Sequence, residues 1–565
     1  MNQAIAMRPF GLVLFTLRRH WASLASCCSE TRFAFGISLI WALFYNLPFW
    51  HRTFEAMWHP TLGGIAFLVS LFVLVLNLQA MLLLLMPTVI GMRLAAGVLF
   101  IVAAMSSYFT AEYGAIMNKD MLRNVLESDL TEMSELVNAH MLFVVIVLGI
   151  LPALLIWRVS IPSLPWRERM RKRGAALSIA ILLCTGCLFA TSADYAVFFR
   201  QHKPIRFTLA PFAPITSLIE LVSRGDRNHS RVPLLNPAGQ SQRAGETHAR
   251  PLVLFLVIGE TARAANFALG GYPRATNPEL AKVQDLVYFS NTSACGTSTA
   301  ISVPCMFSHL ARQDFDVDEA NHFANLVDSM AASGFDVEWR ENNAGCKGVC
   351  TRVSTLHYAG RKDDAMCSHS YCYDEVMLSG LAERLAGIER DTLIVFHQIG
   401  SHGPAYAERY PPEFERFKPA CRSNELQHCS QQEIVNAYDN TIAYTDHLLA
   451  EQISLLRAAS THLDSVLLYA SDHGESLGEQ GIYLHGMPYR FAPDMQKQVP
   501  MLMWASFGYR ERTSLDLDCV RAQASTALTH DDIYHTVLGA AELRNRAYDS
   551  KLDILAACRR IRTGE

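Results

Sequence analysis

Hydrophobic residues follow two rhythms along this chain. Over the first 200 or so residues they come in long runs nearly free of charge: Phe33–Trp50, Leu62–Met86, Val89–Phe109, Met141–Trp157 and Ala175–Phe198. A helix needs roughly 20 apolar residues to cross a bilayer, so each run predicts a transmembrane helix. The first is interrupted by Asn46 and Pro48, which blurs its boundary. None has the short apolar core and cleavage site of a removable signal peptide. From Pro251 onward the apolar runs shorten and alternate with helical stretches, the pattern of an α/β domain. Between the two regimes, Phe212–Val222 predicts a short amphipathic helix lying on the membrane, and Gly225–Arg250 is polar enough for a mobile linker. The expected division is therefore a five-helix membrane domain over 1–200, a linker with a bridging helix over 201–250, and a catalytic α/β domain over 251–565.

Charge orients this arrangement. The net charge of −4 over 565 residues is uninformative about partners, and no nucleic-acid partner is expected. Its distribution says more. Arg18, Arg19 and Arg32 precede the first run, and Arg158, Arg167, Arg169, Arg171, Lys172 and Arg173 crowd the loop between the fourth and fifth. The segment between the third and fourth runs is acidic, with Glu112, Asp120, Glu127, Asp129, Glu132 and Glu135. By the positive-inside rule the N-terminus is cytoplasmic, and five spans put everything after Phe198 outside. The 14 cysteines agree. Cys27, Cys28, Cys184 and Cys187 lie with the apolar runs, whereas Cys295, Cys305, Cys346, Cys350, Cys367, Cys372, Cys421 and Cys429 form an even set of near neighbours in the soluble half. Such pairing reads as disulfides in an oxidising compartment. Cys519 and Cys558 are left over. A zinc ribbon at Cys346/Cys350 lacks a second pair at suitable spacing.

Candidate chemistry sits just past three apolar runs. Leu252–Ile258 ends in Gly259-Glu260-Thr261, Thr392–Phe396 ends in His397 with His402 following, and Ser465–Ala470 ends in Ser471-Asp472-His473. Each run reads as a buried strand, and in open α/β sheets sites form beyond the carboxyl ends of strands. His485 follows shortly after. Singly, each histidine reads as an ordinary surface or core group; together, the carboxylate and imidazole set suits zinc. Asp472-His473 as part of a serine-type triad lacks a Gly-x-Ser-x-Gly elbow. The remaining ligand position suits a hydroxyl from the loop between Cys295 and Cys305, Cys295-Gly-Thr-Ser-Thr-Ala-Ile-Ser-Val-Pro-Cys305, which metal contact would turn into a nucleophile. By chemistry Thr297 and Thr299 are equal candidates, and a Ser/Thr-rich surface loop is the plain alternative. In the acidic segment, Asn124, Ser128 and Glu132 recur every four residues and would share one helical face, able to hold a lipid headgroup with Glu132 toward an ammonium, or simply a solvated face.

The sequence resembles the membrane-bound phosphoethanolamine transferases of the alkaline phosphatase superfamily, nearest the lipid A branch that includes the mobile colistin-resistance enzymes. The motifs that carry the resemblance are Val257-Ile-Gly-Glu-Thr-Ala-Arg263, Cys295–Ser308, Gly400-Ser-His-Gly-Pro-Ala-Tyr406 and Ser471-Asp-His-Gly-Glu-Ser476, within a match that runs from the membrane spans to about Ala540. The resemblance implies an α/β/α soluble domain of sulfatase/alkaline-phosphatase type joined to the five-span membrane domain. It implies Thr299 as the nucleophile and Zn2+ held by Glu260, Thr299, Asp472 and His473. It further implies substrate or further zinc contacts at His397, His402 and His485, Lys347 near the phosphate, and a lipid-headgroup face of Asn124, Ser128 and Glu132. Threonine is usual in the family where this chain has Ser128; the hydroxyl survives. Implied disulfides are Cys295–Cys305, Cys421–Cys429, Cys346–Cys350 and Cys367–Cys372. Pro304 argues against a long regular helix after Thr299.

The function so implied is transfer of phosphoethanolamine from phosphatidylethanolamine to a lipid A phosphate, at the periplasmic face of a bacterial inner membrane, by a monomer. Diacylglycerol would be released, and susceptibility to cationic peptides such as polymyxin would fall. A sulfatase would need Cys/Ser-x-Pro-x-Arg, whereas Ser302-Val-Pro-Cys-Met306 has methionine in place of arginine. Transfer to core heptose or Kdo, and a phosphoglycerol transferase, differ from this reading only in acceptor or headgroup. A non-enzymatic lipid sensor is disfavoured by the intact ligand and nucleophile set.

Overall fold

The computed structural model describes residues 29–128, 130–162, 164–225, 234–236, 238–243, 248–358, 366–367 and 372–559. By internal contacts the chain forms two units, Met1–Asn118 with Asn138–Leu218, and Lys119–Val137 with Ile219–Glu565.

The first unit is helical. Leu62–Leu84, Val89–Tyr113, Ala139–Arg158 and Trp166–Ala190 are each long and apolar enough to cross a membrane. The Thr61 and Thr88 hydroxyls cap the first two by accepting the backbone N–H of Gly64 and Gly91, and Asn138 caps the third through Met141, satisfying donors that a helix start leaves orphaned. Glu30–Tyr45 and Leu47–Met57 form a pair bent by 67° that together would make one more span, the first in chain order. The bend falls at Asn46, whose side-chain amide donates to the carbonyls of Trp41 and Ala210. Pro48 follows and cannot continue the backbone ladder.

The expected fifth span differs at both ends. Its helix starts at Trp166 because Arg169 and Arg173 are helical residues that pair with buried Glu30 at 3.0 and 2.5 Å rather than members of a loop. It breaks at Thr191, after which Ser192–Gln201 forms a separate helix.

The second unit is a three-layer α/β/α domain. Its central sheet has eight strands, β1 Leu252–Gly259, β2 Leu286–Ser293, β3 Asp336–Glu341, β4 Ser354–His357, β5 Thr392–His397, β6 Asp464–Ser471, β7 Gln498–Ala505 and β8 Leu528–Thr529, in the spatial order β8-β2-β7-β6-β1-β5-β3-β4. Only β7 runs antiparallel to its neighbours. Both faces of the sheet are buried. Along β1, Leu252, Leu254, Leu256 and Ile258 enter one core while Val253, Phe255 and Val257 enter the other, which is why this strand reads as an unbroken apolar run.

Four helices of this unit matter for the site: α1 Lys119–Glu127, α2 Leu130–Leu136, α3 Thr299–Met306 and α4 Gln431–Ala458. The face expected for Asn124, Ser128 and Glu132 is split, because α1 ends at Glu127 and Glu132 belongs to α2. Ser128 donates its hydroxyl to the Asn124 carbonyl, a local bond that competes with continuing the helix. The Glu132 side chain lies outside the described residues.

The described part of the polar segment before β1 is tied to this unit. Leu235 pairs with Phe323, and Gln242–Arg243 pairs antiparallel with Leu543–Arg544.

Among the described residues there are five disulfides: Cys295–Cys305, Cys346–Cys350, Cys367–Cys372, Cys421–Cys429 and Cys519–Cys558. The last corrects the expectation that Cys519 and Cys558 are left over. The two lie 39 residues apart in sequence, so local spacing carries no sign of the pair. Cys27 and Cys28 lie outside the described residues.

Candidate metal and nucleophile site

The parallel register brings the three strand ends together. Ile258 of β1 lies opposite His397 of β5, and Gly259 lies opposite Ser471 of β6. Glu260 and Asp472-His473 therefore leave the sheet side by side. The turn after β1 is tight: Thr261 is a buried, β-branched residue at φ +51°, a conformation costing of order 1–3 kcal/mol. It is held by a bond from the Thr261 N–H to Asp472 Oδ1. Gly400, at φ +51°, packs so close that a Cβ there would stand 2.7 Å from the Glu260 carbonyl oxygen.

Glu260, Asp472 and His473 are fully buried, and their ligand atoms lie within 4.8 Å of one another. Thr299, the first residue of α3, donates its hydroxyl into this cluster. Its Oγ1 is 3.1 Å from each Glu260 carboxylate oxygen and 3.4 Å from His473 Nε2. Thr297 is turned away and donates to the Met487 carbonyl at 2.6 Å. The α3 helix is eight residues long with Pro304 inside it, in keeping with the short element expected there.

Several features of the cluster fit a divalent cation. His473 Nδ1 lies 2.9 Å from the Gly474 carbonyl, which places the ring proton on Nδ1 and leaves the Nε2 lone pair facing Glu260 and Asp472, each 3.4 Å away. Asp472 Oδ1 accepts from the Thr261 and His473 N–H groups, whereas buried Oδ2 has no hydrogen-bond donor among the described residues. Burial pushes the Asp472 carboxyl upward and the His473 imidazole well below the usual histidine range. A cation among these atoms would favour the carboxylate and the neutral ring. Two carboxylates, one imidazole and one hydroxyl are a donor set of the kind zinc accepts.

The other expected residues divide into those at the cluster and one beside it. The rings of His473, His485 and His402 form a row, with centroids 4.4 and 5.5 Å apart in turn. Buried Glu475 lies 3.3 Å from His485 Nδ1. His397 reaches the cluster through Asn343, whose Nδ2 lies 3.4 Å from His397 Nε2 and donates to Glu260 Oε2 at 2.7 Å. Lys347 instead donates to the Ala344 and Glu127 carbonyls.

Asn343, Ser302 and His530 were not anticipated. Ser302 accepts the Gly296 N–H and donates to the Asp472 carbonyl. His530, just past β8, accepts the Cys295 N–H at 3.1 Å and lies 3.0 Å from the Ser471 carbonyl. Asn343 follows the end of β3, whose Glu341 pairs with His397, so the strand-end rule would have found it.

A family model described as Sulfatase matches residues 253–543, and one described as Phosphoethanolamine transferase EptA/EptB matches residues 68–225. Phosphoethanolamine transferase EptA of Escherichia coli (strain K12) is 37% identical over 534 residues, covering 93% of this chain and 97% of that protein. This chain belongs to the phosphoethanolamine transferase family of the alkaline phosphatase superfamily. Phosphatidylethanolamine transferase Mcr-1 of Escherichia coli is 39% identical over 449 residues, covering 78% of this chain and 82% of the relative. Among solved structures, the integral membrane lipooligosaccharide phosphoethanolamine transferase A (EptA) from Neisseria meningitidis superposes with a TM-score of 0.90 at 33% identity, covering 94% of this chain and 98% of the other. The chain is thus a membrane-embedded phosphoethanolamine transferase.

Proposed function

We propose that this enzyme moves phosphoethanolamine from phosphatidylethanolamine to a lipid A phosphate through a covalent adduct on Thr299, on the periplasmic side of a bacterial inner membrane. The observation that carries the reading is the buried contact of Thr299 Oγ1 with both Glu260 oxygens and His473 Nε2 at the sheet edge. Glu260, Thr299, Asp472 and His473 would hold a zinc ion. When bound, that ion supplies a Lewis acid that lowers the hydroxyl pKa and offsets charge on the transferring group.

Glu260 takes the hydroxyl proton, to which it is already hydrogen-bonded. Thr299 Oγ1 attacks the phosphorus of the donor lipid in line, and the bond from phosphorus to the diacylglycerol oxygen breaks. That oxygen takes a proton from the His402–His485 pair acting as general acid. A hydroxyl oxygen of a lipid A phosphate then gives its proton to the His402–His485 pair and attacks the phosphorus held on Thr299; the bond from phosphorus to Oγ1 breaks, and Oγ1 recovers the proton held by Glu260. Buried Asp472 and Asn343 keep His473 and Glu260 fixed through both displacements, so little reorganisation is needed. The product carries a new ammonium on a formerly anionic headgroup, which supports lower affinity for cationic peptides such as polymyxin.

Intact mass spectrometry tests this on two levels. The protein should carry a phosphoethanolamine adduct that is lost in Thr299→Ala and kept in Thr297→Val. Lipid A from cells expressing the enzyme should gain phosphoethanolamine units, lost with the same substitution. An adduct of undiminished yield in Thr299→Ala would sink the assignment. An adduct without change in lipid A would move the acceptor to the core sugars.

A further inference from the structure

The segment Lys119–Val137 falls between two membrane helices in sequence yet belongs to the catalytic unit. Its first half is secured near the nucleophile. Helix α1 packs on α3, Arg123 pairs with Asp318 at 2.6 Å, and Lys347 donates to the Glu127 carbonyl. Its second half, α2, is held by a different device. Glu135 receives both of its carboxylate hydrogen bonds from Arg409 Nη2, at 2.8 and 2.7 Å, and Asn424 donates to the Glu135 carbonyl. The same guanidinium turns its Nε–H back to the His402 carbonyl at 2.8 Å. Side-chain exposure is 0% for Arg409 and 6% for Glu135.

A buried ion pair of this kind gives up two hydration shells, and an apolar pair of similar size is often as stable. What the pair supplies is geometry: the planar guanidinium fixes the distance and direction of what it holds. Here one end is the backbone of His402, at the head of the imidazole row that runs through His485 to His473. The other end is α2, which continues the segment carrying Asn124 and Ser128.

We infer that Arg409 and Glu135 are positioning residues that set the donor-headgroup segment at a fixed place relative to His402. Neither touches the reacting atoms. Their effect is on recognition of the ethanolamine headgroup, so this inference rests on the reading of Asn124 and Ser128 as part of the headgroup face.

The test uses the full-length chain in detergent with Thr299→Ala in every sample, which stops turnover. Native mass spectrometry records retention of phosphatidylethanolamine against phosphatidylglycerol added in equal amounts, and amide hydrogen exchange is followed over α2 and over β1 and β6. Glu135→Gln and Arg409→Met should each lower the ethanolamine-to-glycerol ratio about fivefold and speed exchange in α2, with β1 and β6 unchanged. The double variant should lose no more than either single one, as expected for partners in one interaction. Faster exchange in α2 with an unchanged lipid ratio would overturn the inference, and so would an unchanged α2. Loss of protection in β1 and β6 even in the milder Glu135→Gln would make the pair a purely structural one, which also overturns it. No lipid preference in Thr299→Ala alone would remove the headgroup reading and the inference with it, whereas failure of the Thr299 adduct itself is read separately from the intact mass.

Discussion

His530 offers a pH test of how the loop that carries Thr299 is braced. Its ring is fully buried between two backbone groups of opposite kind. Nδ1 accepts the Cys295 N–H, so Nε2 carries the proton and donates to the Ser471 carbonyl. A second proton would have to enter at Nδ1, facing a donor. Burial depresses this histidine from its ordinary value to about 3. In the unfolded chain it titrates near 6.5. Between those values the unfolded state binds the extra proton and the folded state does not, so stability rises with pH. The contribution is complete above the unfolded value and is lost as pH falls toward 3. At pH 5, one and a half units below the unfolded value, the folded state has forfeited about 2 kcal/mol. His530→Gln keeps an acceptor and a donor but cannot titrate. Unfolding free energies of the soluble unit, read by pulse proteolysis of the full-length protein in urea with a chelator present, should be compared at pH 7.5 and 5. The advantage of the native residue over glutamine should shrink by about 2 kcal/mol on acidification, other titrating groups cancelling in the difference. A gap constant to within about 0.5 kcal/mol would refute the buried neutral ring.

Two further predictions concern residues outside the proposed ligand set. Asn343→Leu removes the amide donated to Glu260 Oε2 and should weaken metal affinity by about 10- to 100-fold, as loss of an outer-shell partner does, measured by competition with a chromophoric chelator; unchanged affinity would leave Asn343 a packing residue. Replacing Cys519 and Cys558 by serine opens a loop of 39 residues. This should cost about 4 kcal/mol of stability in urea without altering the yield of the Thr299 adduct, and a lost adduct would place that disulfide in the site's support.

What could be read from sequence follows the physics of a parallel sheet. Strands buried on both faces are unbroken apolar runs, and the chain leaves each one at the same edge. Glu260, His397, Asp472 and His473 were therefore legible from the residue after each run. The choice between Thr297 and Thr299 was not, because it depends on Met487, 190 residues away, whose carbonyl holds the first hydroxyl. Likewise nothing periodic links Arg123 to Asp318 or Glu135 to Arg409, the pairs that place Lys119–Val137 in the catalytic unit. Asn343 escaped for a subtler reason. Strand β3 reads Asp336-Val-Glu-Trp-Arg-Glu341, an alternating pattern, whereas β1, β5 and β6 are almost wholly apolar. Its charges are paired within the fold: Arg340 with Glu338, Arg384 with both Asp336 and Glu338, and Glu341 with His397. A strand whose polar side chains are satisfied in this way delivers residues to the sheet edge as surely as an apolar one. Hydrophobic pattern therefore finds the strands that solvation alone would bury, and misses those whose burial depends on partners elsewhere in the chain.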